Sequence, residues 1–414
     1  MKPKETAING LLKKAIGCIC LWLLWIGSSA AAVEAALQAD MISNAAYASM
    51  ASYRGQATGI AGMYLKDRGW QLARVKNEEN KYFAVRKRIE GHPVYIVAIT
   101  GTEGKREFLS NLNYKLTPYR DSLEEQVHHG YYEMAENIAA DRFFQHIASQ
   151  LKSDEDALLV VTGHSLGGAV SILLGRYLID EGLVRPEQIE VVTFGAPMMG
   201  NAAFIARLGD YPIQAYELEY DIIPEFFQSY SHGYTGKLGQ TVVWDSHMPD
   251  IAYSHQMMRY LDEAKLRQLH AYGQRKQRES TPGQIYTVLP KIKERFTLSS
   301  DVLEGYQWGV IEAQETALKE PVYVDTESKT IEEALHRAKE LGYEQVYWTE
   351  LSFFVKRESQ VRNYYVIIEK YVYRTTDGHV LHWAQDICQS GEYSLLVSMI
   401  DRVETYGSQA EEEK

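Results

Sequence analysis

Ser165 lies in the pentapeptide Gly-His-Ser-Leu-Gly over residues 163–167. The preceding run, residues 157–162, is short, apolar and bounded by glycine, which predicts a strand buried on both faces, as in a parallel sheet. Apolar residues then recur at helical spacing to about Asp180. A strand that turns into a helix within one residue holds the serine in a strained corner and lifts its hydroxyl clear of the sheet. We therefore predict that Ser165 is a nucleophile; a glycine-rich turn without chemistry is the alternative.

Asp221 and His255 could complete a proton relay with this serine. Asp221 follows a predicted strand, Ile213–Glu219, and so reaches the carboxyl edge of the sheet, where the sites of open α/β sheets gather. His255 stands at the start of a predicted helix, on an edge that faces the loops. The chain order serine, aspartate, histidine is the order that α/β-hydrolases use.

The loop after another predicted strand, Val94–Thr100, could stabilise negative charge. In hydrolases of this layout, that loop supplies one oxyanion donor, and the residue after the nucleophile supplies the other through its backbone N–H. The candidates are Thr102, which offers both an N–H and a hydroxyl, and Leu166. An ordinary turn at Thr102 would have the same sequence.

The segment Glu107–Pro118 mixes apolar and polar residues in a way that suits a mobile amphipathic lid over an apolar site. The candidate lid residues are Phe108, Leu109 and Leu112. A plain surface helix would show the same pattern.

The adjacent His128 and His129 are residue types that bind metals. No third cysteine, histidine or acidic residue stands at a useful spacing from them, so we interpret both histidines as structural and predict no metal site.

Positioning these residues requires a sheet whose strands alternate with helices. Such alternation implies right-handed crossovers and a mostly parallel sheet with helices on both faces. We therefore predict an α/β fold over residues 33–270. Its strands would be Tyr82–Ile89 and Val94–Thr100, paired as a hairpin, then residues 157–162, Ile189–Phe194, Ile213–Glu219 and Gln240–Trp244.

Residues 1–32 have the order of a secretory signal peptide: lysines, then an apolar run, then small residues. We predict cleavage near residues 30–32 and export; an uncleaved membrane anchor is the alternative. The formal net charge of the chain is −12, and cleavage would remove Lys2, Lys4, Lys13 and Lys14. An acidic chain argues against nucleic acid as a partner.

The chain after residue 270 predicts a second, smaller domain. Residues 271–283 are polar and end in Pro-Gly, which indicates a linker. Residues 284–405 contain a capped helix beginning after Thr330, followed by strands and an Asp-Gly turn, which predicts an α+β accessory domain for binding or anchoring, with an unknown partner. Residues 406–414 are predicted to be a disordered tail. The alternative is that the later strands extend the first sheet.

Residues 40–265 resemble the class 3, or fungal-type, triacylglycerol lipases. Several ordered segments carry the resemblance: residues 163–169 at the serine turn, 193–197 with Gly200 and Asn201, 127–131 (Val-His-His-Gly-Tyr), 221–224 (Asp-Ile-Ile-Pro), and His255 with Tyr260. The Thr-Gly-Thr of residues 100–102 departs from the Phe-Arg-Gly-Ser/Thr of that family, since it lacks the arginine.

The resemblance implies an α/β-hydrolase fold and hydrolysis of carboxylic esters of lipids through an acyl-enzyme on Ser165, with His255 as the base and Asp221 as its orienting carboxylate. It implies no cofactor, and transient contact with a lipid surface. A short-chain or phospholipid esterase is the nearest alternative. A catalytically silent binding module, in which the core only presents the C-terminal region, is the alternative from another class of protein.

Overall fold

The computed structural model describes residues 37–53, 59–75, 81–102, 115–225, 233–234, 238, 241–245, 254–278, 283–295, 298–358, 361–390 and 393–412. The predicted signal peptide, residues 1–32, and the predicted lid residues Phe108, Leu109 and Leu112 lie outside the described residues. No helix of the described part is both long and apolar enough to cross a membrane.

A seven-stranded sheet is the centre of the first part of the chain. The strands of this part are β1 (Gln71–Arg74), β2 (Tyr82–Ile89), β3 (His92–Ile99), β4 (Leu116–Pro118), β5 (Gln126–His128), β6 (Leu158–His164), β7 (Ile189–Phe194), β8 (Ile213–Leu218) and β9 (Thr241–Trp244). β4 pairs with β5 in a separate small sheet, and the other strands follow the order β1-β2-β3-β6-β7-β8-β9. The pairs from β3 to β9 are parallel, and β1–β2 and β2–β3 are antiparallel.

Helices cover both faces of this sheet. They are α1 (37–53), α2 (Ile60–Asp67), α3 (His129–Ala139), α4 (Arg142–Ser153), α5 (Leu166–Asp180), α6 (Ala202–Arg207) and α7 (Met257–Arg278). Side chains alternate along each strand, so Ile96 of β3 packs under α1, α2 and α7, whereas Val97 packs under α3 to α6. The predicted fold class, a mostly parallel α/β-hydrolase sheet with helices on both faces, is confirmed.

The C-terminal region is built on a second sheet that shares no strand with the first, so its strands do not extend the first sheet. Its elements are β10 (Ile285–Val288), β11 (Lys291–Glu294), α8 (Ser300–Leu318), β12 (Val322–Asp325), α9 (Ile331–Glu340), β13 (Gln345–Glu358), β14 (Val361–Arg374), β15 (Val380–Gln389) and α10 (Leu395–Glu412). The strand order is β12-β10-β13-β14-β15, with β11 also paired to β13. The sheet is mixed: β10 pairs in parallel with β12 and β13, and β11 pairs in parallel with β13, whereas the pairs β13–β14 and β14–β15 are antiparallel.

Two helices of this region, α8 and α10, were not predicted from the sequence. Most of α8 is buried, so it lacks the polar face by which a surface helix is recognised. It also contains Gly305 and Gly309, which lower helix propensity. A Cβ at Gly305 would lie 2.4 Å from Leu266 of α7, which shows how closely the two helices approach.

The predicted linker and tail differ from the structure. Residues 271–278 are the last turns of α7, and the helix α10 continues to Glu412 through most of the predicted tail. The polar side chains of this segment form ion pairs with other parts of the chain. Lys276 lies 2.5 Å from Glu315, and Arg275 lies 3.5 Å from Asp40. Gly273, just before these two residues in α7, packs against the ring of Trp308.

One hydrophobic core joins the first sheet to the C-terminal region. It includes Phe83 and Val192 of the first sheet, Leu269 of α7, Trp308 and Ile311 of α8, Leu351 and Val366 of the second sheet, and Ile400 of α10. The two sheets are therefore packed as parts of one body through the helices between them.

Buried charges connect the same helices. Nζ of Lys265 in α7 lies 2.5 Å from Oε2 of Glu312 in α8, and Arg68, directly after α2, lies 3.0 Å from the same oxygen. Arg68 also lies 2.8 Å from Glu404 of α10. Burial alone would raise the pKa of Glu312, but the positive charges of Lys265 and Arg68 outweigh burial and lower it to about 2. Removing one side of such a network leaves buried charges unpaired, which typically costs about 3–5 kcal/mol.

We expect a chain that ends at Arg278 to aggregate instead of folding. The cut removes Glu312 and Glu404, which neutralise Lys265 and Arg68, and it exposes the apolar side of α7. Solubility on expression and a thermal melt measure the effect. A chain that ends at residue 405 keeps these contacts and is the control. A soluble first part with a cooperative melt would instead support the independent domains predicted from the sequence.

Candidate active site

The turn at Ser165 joins the end of β6 to the start of α5. The φ of Ser165 is 58°, in the left-handed region, which costs a non-glycine residue about 1–3 kcal/mol. A Cβ at Gly163 would lie 2.4 Å from the carbonyl carbon of Gly167, and a Cβ at Gly167 would lie 2.2 Å from the carbonyl oxygen of Ile99. Glycine at both positions is therefore required for strand and helix to approach so closely.

The structure brings Ser165, His255 and Asp221 together. Oγ of Ser165 lies 2.8 Å from Nε2 of His255, and Nδ1 of the same ring lies 2.7 Å from Oδ2 of Asp221. An ionised carboxylate only accepts hydrogen bonds, so Nδ1 carries the proton and Nε2 accepts the hydroxyl proton of Ser165. The three groups therefore form a continuous relay from the hydroxyl to the buried carboxylate.

Three further hydrogen bonds hold the acidic end of this relay. The backbone N–H of Ile223 donates to Oδ1 of Asp221 at 2.9 Å, and the hydroxyl of Tyr260 donates to Oδ2 at 2.5 Å. Ser254, directly before His255, donates from its hydroxyl to the carbonyl of Tyr220 at 2.7 Å. This last bond fastens the histidine loop to the loop that carries the carboxylate. α7 begins at Met257, so His255 lies in the turn before the helix.

Tyr260 connects the carboxylate to the end of β8. Its hydroxyl oxygen accepts the backbone N–H of Leu218 at 3.2 Å while it donates to Asp221. Burial first, and then the charge of Asp221, raise the pKa of Tyr260 well above its usual value, so the hydroxyl keeps its proton. A Cβ at Gly195, whose φ is 56°, would lie 2.8 Å from Oδ2 of Asp221, so a side chain there would press on the carboxylate.

One predicted oxyanion donor belongs to the serine turn, and the other lies on a loop that begins beside that turn. Leu166 is the first residue of α5, where backbone N–H groups have no partner within the helix. Thr102 is half-buried and follows Gly101 after the end of β3. A Cβ at Gly101 would lie 2.7 Å from the carbonyl oxygen of His164, so the loop that carries Thr102 begins beside the serine turn.

His164 and Tyr53 pack behind the relay. The hydroxyl oxygen of Tyr53 lies 2.6 Å from Nδ1 of His164, and the ring centroid of His164 lies 4.6 Å from that of His255. Burial first, and then the charge of His255, hold the pKa of His164 well below its usual value. His164 therefore stays neutral and does not repel a positive charge on His255.

Sequence reasoning did not find the contact made by Tyr53, which is 111 residues away from His164 in the chain. No local pattern relates two residues so far apart. It named Tyr260 together with His255 among the segments that carry the family resemblance, but it gave Tyr260 no role at the site.

The two histidines predicted to be structural lie at the start of α3. His128 is its N-cap residue, and its side chain accepts the backbone N–H of Tyr131 at 3.3 Å.

One group within the described residues has ligand types for a metal ion: His92, Asp154 and Asp156. Nδ1 of His92 lies 2.9 Å from Asp154, and Nε2 lies 3.7 Å from Asp156. Asp156 is exposed and the other two residues are half-buried, and exposed acidic groups of this kind are common without a metal ion.

Residues 96–230 match the family described as Lipase (class 3), so the predicted resemblance is confirmed. A chloroplastic phospholipase A1 of Arabidopsis thaliana is 34% identical over 135 residues, which are 31% of this chain and 20% of that protein. A lipase of Rhizopus niveus is 29% identical over 134 residues, which are 32% of this chain and 34% of that protein. The chain thus spans at most about a third of the length of these relatives.

A solved structure similar to this chain is the lipase from Rhizopus microsporus var. chinensis. Its TM-score is 0.40 and its sequence identity 25%, over 48% of this chain and 71% of that chain.

We expect Tyr260→Phe to lower the free energy of unfolding by about 1–3 kcal/mol, because the buried N–H of Leu218 and the carboxylate of Asp221 each lose a hydrogen-bond partner. Urea unfolding measures the change. Tyr220→Phe is the matched control, since Tyr220 is an exposed tyrosine directly before Asp221 in the chain. Equal stability of the two variants would contradict the anchoring role of the Tyr260 hydroxyl.

Proposed function

We propose that this chain is an exported serine hydrolase that cleaves carboxylic esters of lipids through an acyl-enzyme. The observation that carries the proposal is the relay in which Ser165 lies 2.8 Å from His255 and His255 lies 2.7 Å from Asp221. The match of residues 96–230 to class 3 lipases supports the same reaction class. The signal-like order of residues 1–32 supports export.

In this mechanism Ser165 attacks the ester carbonyl while Nε2 of His255 takes the hydroxyl proton. The pair of electrons of the carbonyl moves to its oxygen, and the N–H of Leu166 and the N–H or hydroxyl of Thr102 stabilise that oxyanion. His255 then gives the proton to the alcohol that leaves, and the acyl group remains on Ser165. A water molecule, deprotonated by His255, attacks the acyl-enzyme. His255 then returns this proton to Oγ of Ser165 as the bond between Oγ and the acyl carbon breaks, and the carboxylic acid leaves.

Asp221 serves this cycle without taking a proton from His255. Its carboxylate keeps the proton of His255 on Nδ1 and stabilises the imidazolium that forms at each transfer. The neutral His164 beside the ring adds no opposing charge when His255 becomes positive. The reaction needs no metal ion or organic cofactor.

A phospholipid esterase is the second candidate, and one observation favours it. The relative from Arabidopsis thaliana that is 34% identical over 135 residues is a phospholipase A1. The proposed triad chemistry is the same for an acyl ester of a phospholipid as for one of an acylglycerol. A catalytically silent binding module is opposed by the complete relay, since a binding function does not need these three side chains in hydrogen-bond contact.

We expect Ser165→Ala and His255→Ala each to lower the turnover of a p-nitrophenyl ester by about 10⁴-fold or more, because each removes a group that forms or breaks bonds. His247→Ala and His232→Ala are matched controls and should keep most of the activity. A thermal melt of each variant checks that the fold is retained. Near wild-type turnover in Ser165→Ala would refute the nucleophile.

We expect the rate to rise with acyl length and to rise again when the substrate passes from monomers to an emulsion, as for a lipase that contacts a lipid surface. Replacing both Phe108 and Leu112 by Ser should reduce the second rise if these residues form a lid. Leu123→Ser is the control, because Leu123 is 94% exposed and lies outside the proposed lid.

Two other outcomes would identify the alternatives. Hydrolysis of only short, soluble esters would favour the short-chain esterase. Faster fatty-acid release from phospholipid vesicles than from a triacylglycerol emulsion would favour the phospholipid esterase.

A further inference from the structure

The outer edge of the second sheet, β15, is longer than the other edges of the two large sheets. In the described part of the chain, those sheets end on β1, β9 and β12, and each of these strands has 4 residues. β15 has 10 residues. An edge strand presents unpaired backbone N–H and C=O groups, and proteins commonly limit such edges by keeping them short. β15 lacks that protection.

The side chains of β15 do not protect this edge either. The strand contains neither proline nor lysine, which proteins use to block pairing at an edge. It exposes large apolar side chains instead: Trp383 is 53% exposed and Ile387 is 54% exposed. These two residues lie on the same face, opposite Tyr371 and Ile367 of β14. A long edge with an apolar face indicates a surface that another strand covers.

The charges of β15 indicate which strand that is. The pairing with β14 shifts register next to Val380, and the strand is regular from His382 to Gln389. Its only acidic or basic side chains are His382 and Asp386, which lie on the same face with Ala384 midway between them. A second copy of β15, paired antiparallel about Ala384, sets His382 of each copy directly opposite Asp386 of the other.

Neighbouring registers lack this complementarity. Centring the pair on Asp386 or on His382 sets like residues opposite each other. Centring it on Trp383 or Gln385 leaves both His382 and Asp386 without an acidic or basic partner across the strands. In the register about Ala384, Trp383 of one copy also lies diagonally between Trp383 and Ile387 of the other, within reach of an aromatic side chain. The small side chains of the two Ala384 residues lie opposite each other across the two-fold axis.

We propose that β15 is a homodimer interface, at which two copies of this chain join their second sheets into one continuous sheet. The joining pair of β15 strands is antiparallel, and the two-fold axis passes between the two Ala384 residues. The backbone groups of the edge then form hydrogen bonds between the copies, and the exposed faces of Trp383 and Ile387 are covered. The relay around Ser165 lies on the other sheet, so the proposal does not depend on the proposed reaction.

Sedimentation equilibrium of the full chain over a range of concentrations tests the interface. We expect a species of twice the chain mass. His382→Asp sets two carboxylates opposite each other at both ends of the pair, and Asp386→His does the same with two imidazoles. Each single change should raise the dissociation constant by about tenfold or more. The double variant His382→Asp with Asp386→His restores unlike pairs and should restore the dimer.

Val243→Lys is the matched control, because Val243 is an exposed residue on the short edge strand β9 of the other sheet, and it should leave the mass unchanged. Circular dichroism of each variant checks the fold. A wild-type chain that stays monomeric at all concentrations would overturn the proposal. So would a dimer of unchanged affinity in both single variants, or a double variant that is weaker than either single one.

Discussion

The close approach of β6 and α5 at Ser165 is the constraint on which the rest of the site depends. Strand and helix meet within one residue, and glycine at positions 163 and 167 removes the side chains that would otherwise collide with backbone atoms. The serine keeps a backbone conformation that costs free energy by itself. Packing of α5 against the sheet and the hydrogen bond from the N–H of Ser165 to the carbonyl of Phe194 offset that cost.

The other groups of the relay are placed relative to this turn by a parallel sheet. The chain leaves β6, β7 and β8 at the same edge, so Ser165, Gly195 and Asp221 arrive at one side of the molecule although they are far apart in sequence. Two local features then fix the position of the Asp221 carboxylate. Gly195 has no side chain that would collide with it, and the hydroxyl of Tyr260 donates a hydrogen bond to it. These contacts hold the side chains of the relay in one arrangement, and electrostatic stabilisation of a transition state requires such preorganised groups.

The C-terminal region packs against α7, the helix that follows His255. α7 begins two residues after His255, and its later turns pack against α8 and share the buried ion pair of Lys265 with Glu312. The helix that follows the proposed base is therefore held between the first sheet and the helices of the second. This placement gives the C-terminal region a structural role in the first part of the molecule.

The sequence by itself was sufficient for the elements that carry strong local signals. The periodicity of the buried strands predicted the parallel sheet, and the turn chemistry around Ser165 predicted the boundary of β6 and α5, because both depend on residues that are close in the chain. The order of Ser165, Asp221 and His255 was likewise sufficient to select the three side chains that the fold brings into contact. The capping box at Thr330 predicted the start of α9 for the same local reason.

Only the tertiary structure decided what depends on distant contacts. The polar residues after 270 have the composition of a linker, yet they are helical because Asp40 and Glu315, far away in sequence, pair with them. α8 carries no amphipathic stripe because it is enclosed by both parts of the molecule, and burial on several sides removes the periodic signal. The contact of Tyr53 with His164 likewise joins α1 to the turn at Ser165. Such contacts depend on which surfaces meet after folding, and a local pattern carries no information about a partner more than a hundred residues away.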